Sequence, residues 1–120
     1  MKITLAELDK VIAEREWPEI TLAIFKLKEY KVLRILHFGV ISPAQWRDFN
    51  LDPNRMLDIQ KRDGLWPATS KIQNILYNLG YVVFIEQLKI TIWNHDPLTC
   101  VKLAYAKLHN LFDGQELEVV

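Results

Sequence analysis

The chain has 120 residues, of which 50% are apolar and 25% are charged, and its formal net charge at pH 7 is zero. This length suits a single domain whose core needs no metal or disulfide. The single cysteine, Cys100, excludes an internal disulfide, and no apolar run approaches the roughly 20 residues that span a bilayer. The sequence therefore predicts one cytoplasmic domain, residues 1–120, with no membrane partner.

The first predicted helix begins at a capping box. Thr4 and Glu7 have the spacing at which each side chain accepts a hydrogen bond from the other residue's backbone amide. Ile3 and Leu8 flank this box as a hydrophobic staple. The apolar positions that follow predict one buried face, formed by Leu5, Leu8, Val11 and Ile12.

A second helix is expected to begin at Pro18, which is typical of a first helical turn. The apolar residues from Ile20 onward recur at helical spacing and continue through Leu33 and Leu36. The pattern predicts one helix that ends at Gly39.

Three later helices are expected to begin in the same way, with a capping side chain that is followed by proline. These openings are Ser42-Pro43, Asp52-Pro53 and Asp96-Pro97. The second of these helices is expected to run from Pro53 to about Asp63 and to end at Gly64. A further helix is expected after Pro67, with Gly80 after its last turn and with a buried face formed by Ile72, Ile75, Leu76 and Leu79.

After Gly80 the apolar period changes to two, which predicts β structure over Tyr81–Ile85 and residues 88–93. Only Glu86 and Gln87 separate the runs, so a tight hairpin and one bent strand both remain open. A final helix is expected from Asp96 to Gly114, followed by an edge strand or a loose tail over residues 116–120. The fold class is therefore α+β and mostly helical.

Residues 39–80 have the spacing of a known DNA-binding motif. Gly39 lies eleven residues before Asn50, and Phe49-Asn50-Leu51 looks like the Leu-Gly-Val turn of that motif. Residues 52–61 look like its recognition helix, with Met56 and Ile59 at the buried positions, and residues 75–80 look like its closing helix. On these residues the segment resembles the helix-turn-helix of the Cro and lambda-repressor class, the XRE family, although Arg62 stands where the family has glycine.

The resemblance implies a Cro-like helix-turn-helix core over about residues 18–80. The strand region and C-terminal helix, residues 81–120, would then serve as a dimerisation element. The implied function is a sequence-specific, dimeric, DNA-binding transcription regulator, antitoxin- or phage-repressor-like. Its implied partners are double-stranded DNA, a second copy of the chain and a cognate toxin or other protein.

The implied DNA-binding residues lie mostly on the helix after Pro53. Arg55 would pair with a guanine edge and Asn54 with adenine, while the lysines and Arg62 would contact phosphates. The full set is Asn54, Arg55, Asp58, Lys61, Arg62 and Lys71.

A second hypothesis stays open: a small protein–protein interaction module, such as an inhibitor or assembly subunit, with no role in nucleic-acid binding. No enzymatic activity, metal or cofactor is expected. His37, His95 and His109 have no companion ligands at metal-site spacing, and no glycine cluster could hold a phosphate. Asp52, Asp58 and Asp63 do not share one helical face, which argues against a paired-carboxylate site. Phe84 is expected in the core. Trp93 shares its strand face with polar residues and is expected at an interface.

Overall fold

A computed structural model of the chain describes residues 1–17, 33–35, 39–41, 51–69 and 80–120. The chain divides into two compact units. The N-terminal unit comprises Lys2–Leu51 with Val119–Val120, and the C-terminal unit comprises Asp52–Glu118 with Met1. Over the described ranges the structure is α+β, with three helices and a three-stranded antiparallel sheet. No helix in these ranges is both long and apolar enough to cross a membrane.

The N-terminal unit is built around helix α1, Leu5–Glu16. The capping box is confirmed, because Thr4 Oγ1 accepts the Glu7 amide at 3.2 Å and Glu7 Oε2 accepts the Thr4 amide at 3.5 Å. Of the predicted buried face, Leu8 and Ile12 are fully buried, whereas Leu5 and Val11 are only half-buried, and Ala13 is buried as well. The cap fixes where the helix begins, and the apolar face fixes how it is rotated.

A buried carboxylate also holds this unit together. Asp9 is fully buried on α1, and its Oδ2 accepts the backbone amide of Leu51, itself fully buried, at 3.1 Å. A buried carboxylate oxygen needs a hydrogen-bond partner, and this amide supplies one. Asp9 therefore fixes the end of the Lys2–Leu51 segment to its first helix.

Strands replace part of the predicted second helix. Strand β2, Leu33–Ile35, pairs antiparallel with β3, Gly39–Ile41, with Leu33 opposite Ile41. The prediction of a helix through Leu33 to Gly39 is therefore wrong. Leu33 and Ile35 also fit a period of two, and β-branched residues suit strands. The same apolar residues are therefore compatible with the observed strand pairing as well as with the predicted helix.

Other predictions for the first half of the chain fall outside the described residues. They are the helix from Pro18 to residue 32, the helix after Pro43 and the turn around Asn50.

The chain end is a strand and not a loose tail: β1, Lys2–Ile3, pairs with β7, Glu118–Val119. Within the N-terminal unit, the Val120 amide donates to the Ile3 carbonyl at 2.9 Å.

The C-terminal unit contains helix α2, Pro53–Asp63, and a sheet covered by helix α3, Pro97–Leu108. The strands of the sheet are β4, Ala68–Thr69, β5, Tyr81–Ile85, and β6, Ile90–Asn94. They lie in the order β4-β5-β6 and are antiparallel throughout. The core of this unit combines β5 with α3, and the largest fully buried side chains of these two elements are Tyr105, Lys102, Ile85, Val83 and Val101.

The β5–β6 connection is a hairpin, which settles the alternative left open by the sequence. Residues 86–89 form the turn, and Lys89 adopts a left-handed φ of 55°. Leu88, expected in the second strand, therefore lies in the turn and is exposed. Phe84 is 53% exposed, so its predicted core position is wrong: Val83 and Ile85 occupy the buried face, and strand alternation turns Phe84 outward.

Two helix boundaries also differ from prediction. Helix α3 ends at Leu108 and not at Gly114, and the following residues form turns in which Asn110 and Asp113 have positive φ. The helix predicted after Pro67 does not include Ala68 or Thr69, which form β4. The remainder of that helix, including Lys71, lies outside the described residues.

Gly80 is required by a close approach to an indole ring. A Cβ built on Gly80 would lie 2.7 Å from Nε1 of Trp93, well inside van der Waals contact. Gly80 was predicted as a C′ residue, which commonly has a left-handed φ, but its φ lies outside that region. The contact with Trp93 explains this glycine instead.

We expect Gly80→Ala to lower the free energy of unfolding by about 1–3 kcal/mol, because the added methyl group overlaps the indole. Urea denaturation measures this change. In a Trp93→Ala background, where the overlap is removed, Gly80→Ala should be neutral or slightly stabilising. An equal loss of stability in both backgrounds would show that the indole contact is not the reason for the glycine.

Candidate nucleic-acid interface

Local capping fixes both ends of α2. Asp52 has extended backbone dihedrals, and its Oδ1 accepts the Arg55 amide at 2.8 Å, while Pro53 occupies the first turn. At the other end Gly64 adopts φ 72°, and its amide donates to the Gln60 carbonyl at 2.8 Å. The predicted bounds of this helix are confirmed.

Helix α2 has one buried and one exposed face. Met56 and Ile59 are buried, which confirms their predicted positions. Gln60 is also buried, and its Nε2 donates to the Leu65 carbonyl at 3.0 Å, so the side-chain amide has a partner in the interior. The exposed face is formed by Asn54, Leu57, Asp58, Lys61 and Arg62. Five of the six predicted DNA-binding residues therefore lie on one helix, and four of them are exposed.

Arg55, predicted to contact a guanine, is bound to the helix's own capping residue. Its Nη1 lies 2.7 Å from Asp52 Oδ2, and its side chain is 25% exposed. Asp52 thus binds both the backbone amide and the guanidinium of Arg55. Arg55 would have to leave Asp52 before it could contact a base.

The last residue of α2 is the centre of a cluster that the sequence analysis missed. Arg62 Nε and Nη2 lie 2.9 and 3.0 Å from the two carboxylate oxygens of Asp63. The same carboxylate lies 2.8 Å from Nε2 of His109, at the C-terminal end of α3. The His109 ring packs against Tyr105, with ring centroids 4.3 Å apart. No local pattern indicates this cluster, because Asp63 and His109 are 46 positions apart.

The surroundings of Asp63 act on its pKa in opposite directions. Burial raises the pKa of the carboxyl group, whereas hydrogen bonds and positive charge from Arg62 and His109 lower it. The net effect holds the pKa of Asp63 below its ordinary value of 3.8. Asp63 therefore favours its ionised form in the folded protein.

The charge of α2 is mixed. The helix carries three cations and two anions, so the excess is a single positive charge. Lys61 and Arg62 lie in its last turn, where the helix dipole favours cations. Asp58 lies on the exposed face with them and reduces its attraction for phosphate.

The one cysteine of the chain, Cys100, is buried in the core. Burial raises the pKa of Cys100 to about 11, so this thiol stays protonated at neutral pH. Its Sγ lies 3.3 Å from the Ile92 carbonyl and packs as part of the core. No group of three or more His, Cys, Asp or Glu residues in these ranges is arranged to hold a metal ion.

We expect the stability of the protein to fall as the pH drops through and below 3.8, the ordinary pKa of an aspartate, in part because Asp63 takes up a proton. Its pKa is lower in the folded than in the unfolded chain, so its contribution is present above the unfolded value and is lost below the folded one. Asp63→Asn should lower the free energy of unfolding at neutral pH by about 1.5–3 kcal/mol and should flatten this pH dependence. Denaturant titrations across the pH range measure both effects.

Asp58→Asn is the matched control, because Asp58 is exposed on the same helix. It should change stability by less than about 0.5 kcal/mol. If Asp63→Asn behaves like this control at every pH, the cluster does not stabilise the fold.

Comparison with known proteins gives no relative for this chain: no family model, no curated protein and no solved structure matches it.

Proposed function

We propose that this chain is a sequence-specific DNA-binding regulator, antitoxin- or phage-repressor-like, that acts as a dimer and contacts double-stranded DNA through α2. The observation that carries the proposal is the position of this helix. Met56 and Ile59 are buried, while Asn54, Lys61 and Arg62 are exposed. This division into a buried and an exposed face is what a helix inserted into a groove needs.

The dimensions of α2 suit the major groove. Its 11 residues span about 16 Å, and the groove is about 12 Å wide. Asn54 lies in the first turn, and the N-terminal residues of a recognition helix contact base edges in this class of protein. The side-chain amide of Asn54 can pair with adenine through two hydrogen bonds.

Lys61 and Arg62 are assigned to the phosphate backbone. They lie in the last turn of α2, and Arg62 is 52% exposed while it is bound to Asp63. Contacts of this kind orient a protein on DNA without selecting a sequence. Asp58, on the same face, can accept a hydrogen bond from the cytosine amino group. In this proposal Lys71, outside the described residues, is a further phosphate contact.

Arg55 takes part only if it exchanges partners. Partly exposed ion pairs contribute about 0–1 kcal/mol, so a guanine edge can compete with Asp52 for the guanidinium. Breaking this pair would leave the backbone cap at Asp52 Oδ1 in place. The helix therefore need not unwind when Arg55 changes partner.

Dimer formation is part of the proposal because one α2 carries few cations. Nucleic-acid affinity depends largely on the number of phosphates neutralised, and a symmetric dimer doubles that number.

The protein–protein interaction alternative is favoured by a different observation: an exposed apolar surface on the sheet face opposite α3. Phe84 is 53% and Trp93 39% exposed on that face, where Trp93 lies opposite Val82 across the strands. Such a surface fits a dimer interface or a protein partner.

Gel-shift titrations of a random-sequence duplex test DNA binding. If a dimer contacts about six phosphates, its affinity should fall about a thousandfold between about 50 and 200 mM salt. Lys61→Ala should weaken binding to all sequences alike and should reduce the salt slope by about 2 per dimer. After selection of a preferred site, Asn54→Ala should relax the preference at one base pair by about 1–3 kcal/mol.

Lys10→Ala is the matched control for these titrations, since Lys10 is an exposed lysine on α1. It should leave DNA binding close to that of the unmodified chain. The DNA proposal fails if no duplex shifts at low salt. It also fails if Lys61→Ala binds as tightly as Lys10→Ala. The protein–protein alternative would then be preferred.

A further inference from the structure

A groove with a volume of about 240 Å³ lies beside β6, within the C-terminal unit. One wall is β6 itself, the floor includes Leu103 and Ala106 of α3, and the other wall is formed from residues 110–117. The volume is below that of cavities which enclose drug-sized molecules. This volume therefore indicates an occupant that is narrower than a drug-sized molecule.

The groove follows the edge of the sheet. Thr91, Ile92 and Trp93 are consecutive residues of β6, and all three line it. Consecutive strand residues point to opposite faces, so a groove that all three line must run along the strand's edge and not across one face. In the order β4-β5-β6, β6 pairs with β5 on one side, and in the described ranges no strand pairs with its other side.

This edge lacks the features that usually prevent strand addition. Proteins protect exposed edges with charged residues, proline or bulges, whereas β6, Ile90–Asn94, contains no charged residue and no proline. Its five residues pair with β5 in continuous register, without a bulge. The edge is therefore chemically suited to accept another strand.

The charges around the groove argue against a polyanion. The lining contains one cation, Lys107, and one anion, Glu116, which balance. Lys107 Nζ also lies 3.4 Å from the carbonyl oxygen of Gly114, which is another residue that lines the groove. Apolar side chains line both the floor and the far wall, the latter through Phe112 and Leu117. The complementary occupant is an uncharged, extended chain with apolar side chains.

We propose that the groove binds an extended peptide segment of a partner protein, which adds as a strand to the edge of β6 opposite β5 and places an apolar side chain against Leu103 and Ala106. In this mode main-chain hydrogen bonds supply affinity, and the pocket for alternate side chains supplies specificity. The proposal goes beyond DNA binding and does not depend on it, because none of the groove's lining residues lies on α2.

The probe is a display library of random peptides of roughly twelve residues, panned against the full chain, with the enriched peptide synthesised and titrated by calorimetry. The expected sequence has apolar residues at every second position, as an extended chain requires. Leu103→Lys, which places a charge in the floor of the groove, should weaken binding at least about tenfold. Leu57→Lys makes the same change at a helical position outside the groove and should bind like the unmodified chain.

Alternate N-methylation of the peptide supplies a test that does not alter the protein. A chain paired along one edge uses the amide of every second residue, so methylating one set of alternate amides should weaken binding about tenfold and methylating the other set should not. The proposal is overturned if no peptide is enriched. It is equally overturned if Leu103→Lys binds as well as Leu57→Lys, or if both methylated peptides bind alike.

Discussion

The carboxylate of Asp63 fixes the end of α2 to the end of α3. Arg62 binds both of its oxygens, and His109 reaches one of them from a position 46 residues later in the chain. Because α3 also covers the sheet, this one contact joins the proposed recognition helix to the core of the C-terminal unit. A helix held in this way can present its exposed side chains with a defined orientation, which base recognition requires.

The three helix starts that were predicted correctly from the sequence are each determined by residues that lie close together in the chain. Thr4 with Glu7, Asp52 with Pro53 and Asp96 with Pro97 act within one helical turn, so their spacing alone indicates where α1, α2 and α3 begin. The change from a helical period to a period of two after Gly80 likewise locates β5 and β6. The hairpin loop could not be distinguished from a bend, because residues 86–89 contain no characteristic turn pair.

Features that depend on distant residues could not be predicted. The helix expected through Leu33 is replaced by pairing between Leu33 and Ile41, and the same apolar residues satisfy either arrangement. The face of α2 was predicted, but the contacts of its charged residues were not: Arg55 is bound to Asp52, and Asp63 meets His109. Gly80 was interpreted as the end of a helix that lies outside the described residues, and the overlap that a Cβ there would make with the indole of Trp93 was not foreseen. The groove beside β6 also depends on which strand lies at the sheet's edge, and that order cannot be inferred from one sequence.

The most direct test of the central claim is an NMR titration of the ¹⁵N-labelled chain with its selected duplex at low salt. If the exposed face of α2 enters the groove of DNA, the amide signals of Asn54, Asp58 and Lys61 should shift earliest and most. The signals of Val83 and Val101, buried in the same unit, should change little. If the duplex binds while the α2 signals stay unchanged, or if no signal moves at all, this helix is not a DNA-recognition element.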